Sequence, residues 1–261
     1  MEKLDALPLN AEFDDKTLVL YIDGKRQAPS VRTVGEMKEV IADKVFLRKA
    51  DPLSPLYFMY RNVMRPHDAV AKVGYDITVI RPHALGREFC KTLGHYHAVA
   101  EGSLHSYPEV YEVLAGKAIY LLQKLRGKSG EVGEVIAIDA VRGDKVVIPP
   151  DYGHVSINAS KTMPLVMSNV PDGAVGKGDY TLFRRKKGAA YFFYSNGTVG
   201  KNTAYSKLPT LARFKANAFD PGDILASEQG VNLYASYNRN PKLYDFLTKP
   251  DLFYEMMNKS E

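Results

Sequence analysis

The stretch LGHYHAVAEGSLHSYPEVYEVLAG, residues 93–116, decides how the rest of this 261-residue sequence is interpreted. It contains a His-x-His pair, His95 and His97, and later Glu109 at the start of a run rich in Val, Tyr and Leu. Side chains two positions apart on a strand point to the same side, so both histidines are predicted to face the interior of a barrel. Two neutral imidazoles and a carboxylate are typical ligands of a divalent cation. Without a metal, each buried imidazole would need a hydrogen-bond partner of its own.

A second segment, GDKVVIPPDYGHVSIN at residues 143–158, adds a fourth candidate ligand. His154 stands where a proline-containing turn is predicted to lead into a strand, and Asn158 follows four residues later. Three imidazoles and one carboxylate suit Fe²⁺, Mn²⁺, Ni²⁺ or Zn²⁺, and the general order of metal affinities does not choose among them. The sequence therefore predicts one divalent metal ion per subunit, and all four metals stay open at this point.

The region around these segments is predicted to form an all-β barrel. Short runs rich in Val, Ile, Tyr and Phe are separated by Gly, Pro and Asp, a spacing typical of an antiparallel sandwich or closed barrel. We divide the chain into an N-terminal arm at 1–50, a barrel at 51–195 and a C-terminal extension at 196–261. The predicted barrel strands are 56–63, 75–81, 109–115, 117–124, 133–138, 145–148, 155–158 and 163–170.

The N-terminal arm is predicted to contain one strand and one helix. Residues 16–21 alternate as a strand does and precede the turn signal Asp23–Gly24. Residues 33–44 carry apolar side chains at helical spacing behind Thr33, a residue type that caps helix N-termini.

The C-terminal part is predicted to be a hairpin, a linker and two short helices. Residues 189–195 form a strand candidate ahead of the turn signal Asn196–Gly197, whereas 200–222 have little periodicity and are interpreted as a linker or surface wrap. After Pro241 the apolar spacing is helical, and Pro250 divides it into two helices. We expect them to dock on the barrel or on a dimer partner.

Composition limits the class of protein. A hydrophobic fraction of 45% is ordinary for a globular chain, and a net charge of +5 with interleaved signs does not favour nucleic acid as a partner. Cys90 is the single cysteine, which excludes an internal disulfide and agrees with a reducing compartment. No signal peptide and no long apolar segment are visible, so we expect a cytoplasmic protein without a membrane partner.

In order and spacing, the two segments resemble the two motifs of the cupin superfamily. The first motif combines His-x-His, Glu and a Gly seven residues later; the second combines Gly, a Pro-containing turn, His and an Asn four residues later. One departure is the distance between the histidine pair and the glutamate, where the eleven residues AVAEGSLHSYP intervene. The matching residues are His95, His97, Glu109, Gly116, Gly143, Pro149, His154 and Asn158.

Glu109 is preferred as the carboxylate ligand over its neighbours Glu101 and Glu112. Gly116 follows Glu109 at the motif distance, and Glu112 has the opposite strand parity, so its side chain should point out of the barrel. His105 lies in the segment between the histidine pair and Glu109 and stays open as a rival ligand.

A larger part of the chain, from about residue 10 to 190, resembles one cupin branch, the archaeal-type glucose-6-phosphate isomerases. The resemblance implies a homodimer and a cupin barrel, or double-stranded β-helix, that closes over a sugar phosphate. It also implies a bound metal, for which we expect Fe²⁺ first and Mn²⁺, Ni²⁺ or Zn²⁺ as alternatives. The stretches that carry it are DPLSPLYFMY (51–60), ITVIRPHALGREFCKTLGHYHA (77–98), PEVYEVLAGKAIYLLQ (108–123), VVIPPDYGHVSIN (146–158) and GKGDYTLF (176–183).

Carried over position by position, the resemblance implies roles for individual residues. Hydroxyls and a glycine N–H can donate to a phosphate without carrying charge. Arg81, Arg87 and Lys91 lie near in sequence and could add charge, although strand parity turns Arg81 away from Thr78. The implied metal ligands are His95, His97, Glu109 and His154, and the implied sugar-phosphate contacts are Tyr57, Thr78, Thr92, Gly94 and Tyr180.

The implied reaction interconverts glucose 6-phosphate and fructose 6-phosphate, which requires a proton to move between two carbons. Glu109 is the first candidate for the base, because its second oxygen is expected to be free, and Tyr180 is the second, as a donor or a relay in ring opening. A hydride shift promoted by the metal would not need Glu109 as a base. Two other functions stay open: a metal-dependent dioxygenase, and a sugar-phosphate binder without catalysis.

Overall fold

The computed structural model describes residues 1–127, 130–171, 178–219, 225 and 228–258. Within these residues, no helix is long and apolar enough to cross a membrane. The strands are β1 (Glu2–Lys3), β2 (Ala11–Asp14), β3 (Val19–Ile22), β4 (Lys25–Arg26), β5 (Ser30–Thr33), β6 (Pro55–Tyr60), β7 (Asp76–Ile80), β8 (Ala84–Leu85), β9 (Glu88–Phe89), β10 (Glu109–Ala115), β11 (Lys117–Leu125), β12 (Val132–Val141), β13 (Lys145–Ile148), β14 (Tyr152–Asn158), β15 (Leu165–Val170), β16 (Tyr191–Phe193), β17 (Val199–Lys201) and β18 (Leu211–Lys215). The α-helices are α1 (Val34–Met37), α2 (Lys44–Lys49), α3 (Thr181–Arg185), α4 (Leu233–Arg239) and α5 (Pro250–Asn258), and 3-10 helices span Ala69–Lys72, Ala216–Ala218 and Pro241–Leu247.

Two sheets face each other and form the barrel. The larger sheet has the order β13-β10-β15-β7-β6-β5 and the smaller one β14-β11-β12-β18. Apolar side chains from both inner faces share one core, as in the 5.2 Å ring contact between Tyr111 and Tyr120. Neighbouring strands are antiparallel except for β12 and β18. The predicted all-β cupin core is confirmed.

The eight predicted barrel strands correspond to β6, β7 and β10–β15, with bounds that differ by a few residues. The asparagine of the second motif has a structural role at the end of β14. The amide Nδ2 of Asn158 is buried and donates to the carbonyls of Ile80, Arg81 and Met163 at 3.0 to 3.1 Å. Asn158 therefore connects the smaller sheet, through β14, to the end of β7 by hydrogen bonds.

In the N-terminal arm, the strand before Asp23–Gly24 is confirmed as β3, but the single helix predicted over 33–44 is wrong. A capping box between Thr33 and Glu36 starts α1, which ends at Met37. The backbone N–H of Ala42 then donates to the carboxylate of Glu88 at 2.6 Å, and the new cap Asp43 starts α2. A distant buried carboxylate thus interrupts the local helical preference. The arm also contributes β5 to the larger sheet.

In the C-terminal extension, the hairpin at Asn196–Gly197 is confirmed as β16 and β17. Residues 200–219 are more than a linker, because β18 pairs in parallel with β12 and thereby gains hydrogen bonds that local periodicity does not reveal. Residues 220–222 of the predicted linker lie outside the described residues. The two helices after Pro241 are the 3-10 helix Pro241–Leu247 and α5, and α4 precedes them.

A second apolar cluster, which we call the outer core, covers the outward face of the larger sheet. Its members come from the arm, from the outer sides of β7, β10, β13 and β15, and from the C-terminal helices. Phe246 and Phe253 of the extension are each 1% exposed there. The extension therefore packs on the outside of the barrel, leaving the interior for the candidate site.

Candidate metal centre and substrate cavity

Four potential ligands converge inside the barrel, and every pair of their ligand atoms lies within 4.8 Å. Glu109 is the first residue of β10, and His154 lies in β14. The histidine pair lies in an extended segment that is held by paired backbone hydrogen bonds between His95 and His154, at 3.0 and 3.2 Å. The cluster consists of the predicted ligands His95, His97, Glu109 and His154.

The electrostatics of the cluster favour a neutral His95 imidazole and an ionised Glu109 carboxylate. Burial lowers the pKa of His95 well below its usual value, and the neighbouring His154 and His97 lower it further. Burial alone would raise the pKa of Glu109, but the His154 and His97 imidazoles outweigh it and hold that pKa well below the usual range. Neutral imidazole and carboxylate are the forms that bind a cation.

Two buried atoms of the cluster have no hydrogen-bond partner among the described residues, Glu109 Oε2 and His154 Nδ1. Glu109 Oε2 lies 3.4 Å from His97 Nε2 and 3.3 Å from His154 Nε2. The other ring nitrogen of His97, Nδ1, lies 2.7 Å from the carbonyl oxygen of Tyr107, which fixes the ring orientation. Buried polar atoms without partners are costly, so this donor set fits a divalent cation.

The rival residues lie away from the cluster. His105 is 2.7 Å from the carboxylate of Asp151, and its ring contacts that of Tyr254 at 4.3 Å between centroids, with the ring planes tilted by 43°. Glu101 is exposed. Glu112 points to the outer core, as strand parity predicts, where its carboxylate accepts a 2.7 Å hydrogen bond from the N–H of Leu233.

A cavity of about 690 Å³ opens from the cluster and is large enough for a phosphorylated hexose. The five positions with implied substrate contacts all line it. They come from different parts of the barrel, with Tyr57 on β6, Thr78 on β7, Thr92 and Gly94 before the histidine pair, and Tyr180 directly before α3. Residues 176 and 177 of the GKGDYTLF stretch lie outside the described residues.

Two hydroxyl groups in the cavity accept hydrogen bonds from the backbone and can still donate their own O–H to a ligand. Tyr57 Oη accepts from the N–H of Leu93 at 3.4 Å, and Thr92 Oγ1 accepts from the N–H of Ser156 at 3.0 Å. A hydroxyl that accepts a bond still has its own O–H to donate. Gly94 has φ +86°, and a Cβ there would lie 2.5 Å from Val155 Cγ2, so glycine is required where the backbone passes the cavity.

The three basic residues considered from sequence do not line the cavity. Arg81 donates to the carbonyl of Pro55, Arg87 lies 3.6 Å from Asp43, and Lys91 forms a buried ion pair with Glu88. Arg61, directly after β6, is instead the cationic side chain among the described lining residues. Its guanidinium lies 2.5 Å from the buried carboxylate of Asp76, and the side chain is 51% exposed.

Sequence reasoning missed two polar neighbours of the ligands and the carboxylate that holds Arg61. Tyr111 Oη lies 3.2 Å from His154 Nε2, and Asn169 Nδ2 donates to Glu109 Oε1 at 2.6 Å. Asp76 anchors Arg61 on the same cavity wall. Parity with Glu109 would have indicated Tyr111, two residues further along β10. Asn169 gave no local signal, because its contact depends on the pairing of β15 with β10.

The sequence model of the glucose-6-phosphate isomerase family matches residues 31–210, which include the ligand cluster and the predicted substrate positions. The chain belongs to this family. A glucose-6-phosphate isomerase from Thermococcus litoralis is 26% identical over 196 residues, 74% of this chain and 92% of the relative. One from Thermococcus gammatolerans is 30% identical over 154 residues, 58% of this chain and 71% of the relative. The family assignment identifies the chain as an enzyme of the isomerase class.

Among solved structures, a cupin-like protein from Thermotoga maritima is similar to part of this chain. The match has 18% identity and a TM-score of 0.29, and it covers 47% of this chain and 74% of that protein.

Proposed function

We propose that this chain interconverts glucose 6-phosphate and fructose 6-phosphate in the cavity beside the His95, His97, Glu109 and His154 cluster. The proposal rests on three imidazoles and one carboxylate that line the same cavity as Tyr57, Thr78, Thr92, Gly94 and Tyr180, in a chain of the isomerase family. A divalent cation bound by the cluster would act as a Lewis acid on the substrate oxygens. Fe²⁺ remains our first choice, with Mn²⁺, Ni²⁺ and Zn²⁺ as alternatives.

The hydroxyl groups support a phosphate site on the β6 and β7 side of the cavity. Tyr57, Thr78 and Thr92 can each donate an O–H, and the glycine backbone leaves room for a close approach at Gly94. Arg61 supplies positive charge on the same wall, and a dianionic phosphate gains from a charge-assisted hydrogen bond. The aldehyde or ketone end of the sugar would then face the ligand cluster.

The residues available for proton transfer are constrained by their contacts. Glu109 Oε1 already accepts a hydrogen bond from Asn169, so the oxygen that we expected to be free is engaged. Tyr180 is half-buried, and its ring centroid lies 5.4 Å from that of His95. Its hydroxyl is therefore our preferred donor for ring opening, and Glu109 is retained chiefly as a ligand. A hydride shift requires no protein base and agrees with this arrangement.

The function is tested by a coupled assay of glucose 6-phosphate and fructose 6-phosphate interconversion with metal content measured in the same samples. Metal-free protein should gain activity with Fe²⁺, Mn²⁺ or Ni²⁺, and His95→Ala should lose both metal and activity. No turnover with any divalent metal would refute the isomerase and leave the sugar-phosphate binder. Oxygen consumption that depends strictly on Fe²⁺ would instead indicate the dioxygenase.

The assembly and location of the enzyme are further proposals. We propose a homodimer that works in the cytoplasm without a nucleic acid or membrane partner. Light scattering should give twice the mass of one chain, and a monomeric mass with full activity would contradict the dimer.

A further inference from the structure

Asn169 stands out among the buried polar residues because it contacts a metal-ligand candidate directly. It lies on β15 opposite Tyr111 of β10, with its side chain lining the cavity. Its amide nitrogen Nδ2 donates to Glu109 Oε1 at 2.6 Å. Both residues are buried, 2% exposed for Asn169 and 4% for Glu109. The hydrogen bond is therefore largely screened from bulk solvent in the folded chain.

The hydrogen bond determines the direction in which Glu109 presents its other oxygen. A carboxylate is planar, so fixing Oε1 leaves only small rotations for Oε2. Oε2 lies 3.4 Å from His97 Nε2 and 3.3 Å from His154 Nε2, without a hydrogen-bond partner among the described residues. Asn169 thus separates the two oxygens into one that is held by the protein and one that faces the imidazoles.

We propose that Asn169 is a positioning residue that orients Glu109 as a single-oxygen ligand for the metal. The inference rests on the proposed function, since it takes the cluster to be a metal site. Polar partners of metal ligands typically change metal affinity by about 10- to 100-fold when they are removed. Asn169 contacts Glu109 directly, so its first effect is on metal affinity.

A packing role is the alternative, and two substitutions separate the roles. Asn169→Leu keeps the number and branching of the side-chain heavy atoms and removes the donor, whereas Asn169→Ala removes the donor without adding bulk. Asn158→Ala is the matched control, because this buried asparagine also donates to the protein, but to three backbone carbonyls and to no ligand. A packing role would lower thermal stability in all three variants and leave metal affinity unchanged.

The experiment titrates metal-free full-length chain with Co²⁺, follows visible absorption against a competing chelator, and records the melting of each metal-free variant. Wild type should bind one Co²⁺. Asn169→Leu and Asn169→Ala should bind it about 10- to 100-fold more weakly, and Asn158→Ala should melt earlier with wild-type affinity. Wild-type affinity in either folded Asn169 variant would overturn the inference. Failure of wild type itself to bind Co²⁺ would instead overturn the proposed metal site.

Discussion

Each face of β10 buries one glutamate. The two carboxyls are three residues apart in sequence, and their pKa values are shifted in opposite directions. Glu109 faces the barrel interior and Glu112 faces the outer core, with exposures of 4% and 3%. Histidine neighbours hold the pKa of Glu109 well below its usual range despite burial. Burial raises the pKa of Glu112 to about 7, although the N–H of Leu233 and the charge of Lys145 oppose it. Equal burial therefore yields an ionised ligand on one face and a structural carboxyl on the other.

The largest test of this contrast is a matched pair of substitutions, Glu109→Gln and Glu112→Gln. Glu109→Gln removes the negative ligand from the imidazole cluster, so metal affinity and isomerase activity should both fall by more than about 100-fold. Glu112→Gln should retain metal and activity, because its side chain lies in the outer core. Metal analysis and the coupled assay measure both. Equal losses of metal affinity and activity in the two variants would contradict the different roles assigned to Glu109 and Glu112.

The outer core should tolerate loss of packing poorly while leaving the metal site intact. Phe253 in α5 is 1% exposed, so Phe253→Ala should lower the free energy of unfolding by about 3–5 kcal/mol. Met257 on the same helix is 38% exposed, and Met257→Ala should change the free energy of unfolding by less than about 0.5 kcal/mol. Urea unfolding gives both values. A Phe253→Ala variant with wild-type stability would show that the C-terminal helices contribute nothing to the fold.

Glu112 should make stability depend on pH. Its pKa is about 7 in the folded chain against 4.5 for an unperturbed carboxyl, so the folded state holds a proton that the unfolded state releases. The free energy of unfolding should therefore fall as pH rises from about 4.5 to 7, by up to about 3 kcal/mol in total from this group. Glu112→Gln removes this contribution. Urea unfolding at pH 5 and pH 8 tests it, and an identical pH dependence in wild type and Glu112→Gln would contradict it.

The smallest expected effect concerns charge on the inner face. Arg61→Gln should raise the KM for glucose 6-phosphate about tenfold with a smaller change in kcat, as loss of a charge-assisted hydrogen bond predicts. Arg87→Gln is the control, since Arg87 pairs with Asp43 away from the cavity. Steady-state kinetics at fixed ionic strength separate the two. An unchanged KM in Arg61→Gln would show that Arg61 does not contribute to substrate binding and serves only in its ion pair with Asp76.

The features that the sequence predicted correctly depend on local pattern. Alternation located the barrel strands, and parity on β10 assigned Glu109 inward and Glu112 outward. Motif spacing correctly predicted that His154 lies beside the histidine pair, although more than fifty residues of sequence separate them. The long segment before Glu109 did not displace the ligand set, because His105 is engaged with Asp151.

The features that the sequence did not predict depend on pairing between distant segments. The Asn169 contact follows from the register of β15 against β10, which no local period encodes. Arg61 reaches the cavity wall because Asp76, fifteen residues away, holds its guanidinium. The break between α1 and α2 likewise depends on Glu88, which accepts from the backbone of Ala42. Such contacts become visible only after the chain has been folded.

The most direct test of the central claim is anomalous diffraction from crystals of the chain loaded with Mn²⁺ or Ni²⁺. We predict one anomalous peak per chain, from a metal ion bound by His95, His97, Glu109 and His154 on the inner face of the barrel. A peak beside His105 and Asp151, or no peak at the four-residue cluster, would contradict the assignment of the metal site.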